Sequence, residues 1–439
     1  RLVLPQLDAW RPQLLEKIST LTGTPVDASQ ITASWQNFGP TLDVRDIQVG
    51  LKDGGKMAVK RVTLALDVWQ SLLHMRWQFR DLTFWQLQVH TNTPIQTNDG
   101  GESLKTDRIS DLFLRQFDHF TLRDSHLSFL TISGQRAELA VPQLTWLNGR
   151  NRHRAEGQLS LSSLTGQHGV MQVRMDLRDE DGLLNKGRVW LQADDIDVKP
   201  WLGRWMQDNI ALKSARFSLE GWMTIEKGDV ASGDVWLKKG GASWQGDDEV
   251  HHLSVDNLTA HLSHDKQSWG FYIPDTRIAI DDKPWPSGAL AMAWIPAQDV
   301  GGDDHQRSDE LRIRASNLTL SGLSGLQPFA DKLAPSLGEL WRTTQPSGKI
   351  NLLALDIPLQ ATEKTRFQAQ WSDLAWKQWK LLPGAEHFSG SLNGSVEHGE
   401  LRARMTQALM PYTGVFRAPL EIAAGEATLS WVKNDKGFM

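Results

Sequence analysis

The sequence predicts a mostly-β protein. Its expected form is a long curled antiparallel sheet, an elongated hydrophobic groove made of repeated units of roughly 60 residues, with an N-terminal capping helix and two short helices. Three observations predict it. Apolar and polar residues alternate over many short runs, glycine-bearing turn signals separate those runs, and helical periodicity is scarce.

Residues 7–21 come first and are helical in pattern. Leu7, Trp10, Leu14, Ile18 and Leu21 form one stripe, Gly23 is a C-terminal stop, and Pro25 lies beyond it. The expected organisation is an amphipathic helix over 1–25 and a repeated β-groove over 26–439. Further helical candidates are short: a turn around WQSLLH (69–74), KPWLGRWMQD (199–208), and 326–342, which Pro335 interrupts.

Strand patterns fill the rest. FWQLQVH (84–90) sends Trp85, Leu87 and Val89 one way and Gln86, Gln88 and His90 the other. The same alternation runs through Val62-Leu64-Leu66-Val68, Met171-Val173-Met175-Leu177, Phe217-Leu219, Leu290-Met292-Trp294, Leu401-Ala403-Met405 and Leu429-Trp431. Hairpin signals lie at Asp53-Gly54-Gly55, Asp181-Gly182, Lys227-Gly228, Lys239-Gly240-Gly241, His398-Gly399 and Lys436-Gly437. Strands joined by such tight turns pair antiparallel.

A tetrapeptide of form apolar-x-(Asp/Asn)-(Leu/Ile) recurs: VRDI at 44, FRDL at 79, ADDI at 193, VDNL at 255, ASNL at 315 and WSDL at 371, with a degenerate VPQL at 141. Within it the apolar register slips by an odd step, which needs a bulge or bend if the same face is to stay apolar. Asp and Asn suit such a kink because they tolerate unusual backbone angles. One kink per unit gives approximate units 26–80, 81–142, 143–194, 195–256, 257–316, 317–372 and 373–439.

Composition narrows the function. Lys plus Arg is 47 against 52 Asp plus Glu, a net charge of −5, so no electrostatic footprint for nucleic acid is present. The basic cluster GRNRHR (149–154) is short and reads as a solvated loop. There is no cysteine, hence no disulfide or thiolate metal site. Twenty Trp against two Tyr suit broad apolar surfaces bordered by water, or sandwich cores.

The best histidine cluster is His251-His252 followed by His261 and His264. In a strand the last two face opposite sides and cannot share an ion. No phosphate loop, nucleophile elbow or dinucleotide fingerprint occurs, and neither an enzyme nor a cofactor is expected. No run reaches the ~18 apolar residues of a membrane span. The chain opens RLVLPQLDAW without an initiator Met and is expected to be a piece of something longer, with any anchor upstream of Arg1.

A few short helices cannot roof so many one-sided strands. Either two sheets pack about 10 Å apart in a sandwich, or one sheet curls into a trough matched to an apolar ligand. The regular repeat suits the trough. The sandwich remains as the alternative, a structural or glycan-binding scaffold of the cell envelope.

The opening helix and TGTPVDASQITASWQNFGPTLDVRDIQV (22–49) resemble the opening of AsmA-like proteins of Gram-negative bacteria, and LALDVWQSLLHMRWQFRDLTFWQLQV (64–89) continues that pattern. LLPGAEHFSGSLNGSVEHGEL (381–401) and APLEIAAGEATLSW (418–431) are similar to later strand-turn units of the family. The resemblance implies a periplasmic β-groove, anchored to the inner membrane by a segment preceding this chain, that carries phospholipids towards the outer membrane. It supplies no catalytic residues.

Under that reading the alternating apolar set lines the groove: Val62, Leu64, Leu66, Leu87, Val89, Met171, Val173, Met175, Val189, Leu191, Phe217, Leu219, Leu290, Met292, Leu311 and Ile313. A charge at Leu64 or Met175 is then expected to block transport without unfolding the chain.

Overall fold

A computed structural model of the chain describes residues 12–13, 15–16, 19, 25–36, 39–50, 55–75, 78–94, 112–130, 136–161, 169–199, 211–246, 249–265, 268–285, 288–296, 309–328, 331, 335–359, 361, 364–380, 382–434 and 437–438. The chain divides into two units, residues 1–204 with 216–231 and residues 205–215 with 232–439.

The first unit holds β1 (Val26–Asp27), β2 (Gln30–Gln36), β3 (Gly39–Gly50), β4 (Lys56–Leu66), helix α1 (Val68–His74), β5 (Phe79–Pro94), β6 (His119–Leu130), β7 (Arg136–Asn148), β8 (Arg152–Leu161), β9 (Val170–Arg178), β10 (Lys186–Asp197) and most of β11 (Leu212–Glu226). From β3 onward each strand pairs with the next in sequence. All of these pairings are antiparallel but one. β5 and β6 run parallel, Phe84 opposite Leu122 and Val89 opposite Leu127. Antiparallel pairing was expected throughout because tight turns enforce it. β5 ends at Pro94 and β6 begins only at His119, a separation long enough for the crossover that a parallel pair requires. The described part of that crossover includes a π-helix, Leu112–Gln116.

The second unit holds most of β12 (Asp229–Gln245), then β13 (Val250–Asp265), β14 (Ser268–Ile273), β15 (Ile278–Ile280), β16 (Lys283–Pro284), β17 (Leu290–Ile295), β18 (Glu310–Thr319), a 3-10 helix (Leu320–Leu326), helix α2 (Pro335–Thr344), β19 (Ser347–Pro358), β20 (Arg366–Trp376), β21 (Ala385–Ser395), β22 (His398–Met410), β23 (Leu420–Asn434) and β24 (Gly437–Phe438). Its pairings are all antiparallel among the described residues. β13 is shared, carrying β14 on one half and β15 on the other, and β14 then pairs with β17.

The kinks have a definite backbone form. The third residue of the recurring tetrapeptide is left-handed in five cases: Asp46 (φ 50°), Asp195 (52°), Asn257 (54°), Asn317 (55°) and Asp373 (55°). At each, two successive residues pass on the outer side and the inward phase resumes three residues on. Val255 and Leu258 are accordingly both buried, as are Ala193 and Ile196. FRDL at 79 departs from this: Asp81 is not left-handed, and the left-handed residue of β5 is Gln86 (φ 52°), four residues beyond the tetrapeptide. That corrects the reading of FWQLQVH: Phe84 and Leu87 face one core, and Trp85 faces the opposite way. Asn257→Val should cost about 1–2 kcal/mol, because a β-branched residue is strained at positive φ. Asn257→Gly should be close to neutral. Urea denaturation of the two variants measures the difference.

Other local expectations divide. Lys227 (φ 55°) and Gly228 (φ 83°) make the two-residue turn expected of them. Lys239-Gly240-Gly241 is no turn. It lies inside β12, where a Cβ on Gly241 would sit 2.4 Å from the Leu253 carbonyl oxygen. The glycine there serves close strand approach. WQSLLH is helical as expected, and in 326–342 Gln327, Pro328 and Asp331 are helical ahead of Pro335, which opens α2 as proline in a first turn can. The 199–208 helix lies outside the described residues apart from Lys199, as does most of 7–21.

Candidate functional site

Cross-strand register assembles one apolar face in the first unit. Leu42, Leu64 and Leu82 stand side by side on β3, β4 and β5, as do Val44, Val62 and Phe84. Further along, Met171 opposes Ala193, Val173 opposes Leu191, and Met175 opposes Val189. Leu219 and Phe217 then oppose Ala193 and Ile196. All the candidate lining residues of this unit share this face.

They are not equally open. Val62 and Leu87 lie in a buried cluster with Val59, Leu82, Phe84, Phe120, Leu122, Val141 and Trp146. The crossover lies over it: the Phe113 ring sits 5.1 Å from both Phe84 and Phe120, and Phe117 meets Phe79 edge-on at 5.6 Å. Met171 and Val173 are buried as well, whereas Leu64, Leu66, Val89, Met175, Val189, Leu191, Phe217 and Leu219 are half-buried.

Asn148 holds the crossover in place. Its Nδ2 donates to the carbonyls of Phe113 (2.7 Å) and Phe117 (2.8 Å), and its Oδ1 accepts from Trp146 Nε1 (2.7 Å). The same Oδ1 lies 2.7 Å from Nδ1 of the buried His153, whose Nε2 is 3.2 Å from Asp179. At the crossover's end, the hydrogen bond to Asp118 raises the His119 imidazole above its ordinary pKa, against a smaller lowering by burial.

In the second unit the apolar face is far more open. Leu290 opposes Ala315, Met292 opposes Ile313, and Trp294 opposes Leu311. A row continues from Ala315 through Leu353, Ala369, Leu392 and Leu401 to Leu429. A second runs Met292, Ile313, Leu355, Phe367. Among the described residues from 290 onward, the only buried hydrophobics are Ala315, Leu320, Ala385 and Ala408. The rest of these rows is half-buried or exposed; Met292 is 38% accessible and Leu429 60%. A sandwich would bury such rows completely.

A small closed core sits at one end of this sheet. Trp244 and Ile280 are buried there, and Trp244 Nε1 donates to the Gly325 carbonyl at 3.0 Å. Nearby, burial pushes the Asp281 carboxyl up, but the His252 amide and His251 imidazole outweigh it and hold the group below its ordinary pKa.

The opposite face is polar in both units. Arg61 Nη2 meets Asp43 at 2.6 Å, Arg174 Nε meets Glu156 at 2.9 Å, Arg314 Nη2 meets Asp356 at 2.6 Å, and Arg404 Nε meets Glu426 at 3.1 Å. Exposed pairs like these add little stability each, but they keep this face wet. Two of its indoles are covered by arginines, Trp85 by Arg123 and Trp190 by Arg174, while Trp222 is 53% exposed. Trp190 also donates to Glu220 and meets Trp222 at a 52° tilt, so the two rings form no flat sugar platform. A depression of about 690 Å³ over β7–β9 is bordered by Gln143, Glu156, Gln172 and Arg174 together with Leu147, Val173 and Met175, a mixed polar and apolar lining.

His261 pairs with Asp234 on the polar face, while His264 stacks on Trp269 at 4.1 Å on the other, as the strand spacing implied. No cluster able to hold a metal ion occurs among the described residues. None of their helices is long and apolar enough to cross a membrane.

Leu353, Leu355 and Phe367 also belong to the open face, and their alternation is the sequence signal for it. Phe113 and Phe117 roof the first unit, and nothing periodic in LFLRQF announced that.

These features define a one-sided β-sheet protein with a charged outer face and an apolar inner face that protein covers only in part. The chain belongs to the YhdP protein family, whose model matches residues 1–439. Over 438 residues it is 74% identical to the intermembrane phospholipid transporter YhdP of Escherichia coli (strain K12), a match covering 100% of this chain. The chain spans 35% of that relative's length. YhdP is the large AsmA-like member that the opening and the later strand-turn stretches resemble. No solved structure matches the chain.

Proposed function

We propose that this chain is a section of a non-enzymatic conduit carrying phospholipids across the periplasm between inner and outer membranes. Acyl chains lie on the apolar face and head groups stay in water at its open side. The observation that carries this reading is the second unit's apolar rows, which stay half-exposed where a protein core would be closed. The relative's name supports the same substrate class. Anchorage to the inner membrane by a preceding segment is part of the proposal.

The physics is hydrophobic transfer. A lipid tail in water costs about 0.8 kcal/mol per exposed CH₂. A continuous apolar floor removes most of that cost at every step. Many similar weak contacts serve better than one deep well, which would trap its cargo.

Gently purified protein should carry phospholipid detectable by mass spectrometry of an organic extract. A lipid-free preparation that also takes up no fluorescent phospholipid from vesicles would refute the conduit.

A further inference from the structure

Helix α1 is built inside out. An ordinary surface helix turns its apolar stripe to the core. Here Trp69, Leu72 and Leu73, spaced on one stripe, all face solvent, with Leu73 77% and the following Met75 89% accessible. The polar side chains make the attachments to the protein instead. Asp67 caps the helix through Gln70 N (3.0 Å), and its own amide donates to Gln78 O (2.8 Å). Ser71 Oγ accepts from Gln78 N (2.8 Å) and donates to Gln78 O (3.2 Å). The helix is therefore fixed in place with its greasy side presented outward.

The same rim carries positive charge. Gln78 shares a depression of about 310 Å³ with Asn148 and with Gly149, Arg152 and Arg154 of the GRNRHR hairpin. Arg150, Arg152 and Arg154 are all exposed. Asp176 holds Arg152, while Asp118 is paired with His119, Asp179 with His153 and Glu180 with Lys186, so the rim's positive charge rests on Arg150 and Arg154.

We propose that α1 and the 149–154 hairpin form a peripheral membrane contact. The Trp69-Leu72-Leu73-Met75 stripe inserts into the interfacial layer of an anionic phospholipid bilayer, and the hairpin arginines lie against its head groups. Trp at the interface, apolar residues beneath and adjacent Arg is the chemistry such a surface selects. A folded protein partner fits less well. Seven residues of helix span about 10 Å, and a stable protein interface needs about 800 Å² from each side. The proposal does not depend on the transport reading.

The absence of cysteine makes the test clean. In the whole 439-residue chain, Met75→Cys carries an environment-sensitive fluorophore, and Glu397→Cys, at an exposed turn of the second unit, is the control. With vesicles of phosphatidylethanolamine and phosphatidylglycerol, the label at 75 should shift to the blue and the label at 397 should not. Leu72→Ser with Leu73→Ser should lower vesicle binding roughly tenfold, since each swap removes exposed methyl groups from the stripe. Arg150→Glu with Arg154→Glu, or high salt, should weaken it too. All four positions are exposed, so thermal midpoints should stay unchanged. A label at 75 that stays in water beside vesicles overturns the proposal, as does a double-serine variant that binds like the parent. Shielding by native membrane extracts but not by protein-free vesicles also overturns it, in favour of a protein partner.

Discussion

Met292→Arg should abolish lipid loading of the second unit while leaving the fold intact. Met292 stands between Phe271 and Ile313 in the open apolar row and is 38% accessible. Without lipid, a guanidinium there reaches water along its flexible stem. With acyl chains on that row, it must be desolvated. A charge placed in hydrocarbon costs about 3 kcal/mol on insertion scales, which is more than a hundredfold in occupancy. The measurements are phospholipid per protein by mass spectrometry and the thermal midpoint of parent and variant. Leu64 and Met175 are poorer choices for a charge than their sequence pattern suggested, because both pack against the first unit's buried cluster. A charge there would confound blocked transport with lost folding.

Asn148→Ala should be the most damaging single side-chain truncation in the first unit. It removes two donated and two accepted hydrogen bonds at a buried site, leaving the Phe113 and Phe117 carbonyls, the Trp146 indole and His153 without that partner. Stranding several buried polar groups costs about 1–3 kcal/mol each when no water replaces the lost partner. Partial relaxation brings the expected total to about 3–5 kcal/mol. Urea denaturation gives that total, and hydrogen exchange at 112–118 reports whether the crossover lifts first. Asn148→Asp keeps the acceptor but turns a buried carboxylate oxygen toward the Phe113 and Phe117 carbonyls, so it should destabilise at least as much as alanine.

The sheet's sidedness was legible because alternation is a local property. Met171, Val173 and Met175 announce a strand with one greasy side, and they pair in register with Ala193, Leu191 and Val189. Kinks at Asp46, Asp195, Asn257, Asn317 and Asp373 were legible for the same reason, since Asp and Asn are the residues that tolerate the required angles. Gln86 carries no such signal, and so Trp85 was put on the wrong side. The parallel β5–β6 pairing and the Phe113–Phe117 roof were illegible for a different reason. They depend on contacts between segments some thirty residues apart, as in the bonds from Asn148 to Phe113 and Phe117, and no short window of sequence encodes them.

The left-handed kinks give this sheet a counting frame, much as codons give one to a message. Deleting Asn257 itself would leave Val255 and Leu258 two residues apart, the ordinary strand spacing, and keep both on the inner side, whereas deleting a residue from the regular run beside the kink, such as Thr259, would put what lies on one side of that point out of phase with what lies on the other. Evolution can therefore exchange letters freely on these ribbons, yet gains or losses of a single residue within a regular run should be purged. Tolerated length changes belong in the connecting turns, where no phase has to be kept.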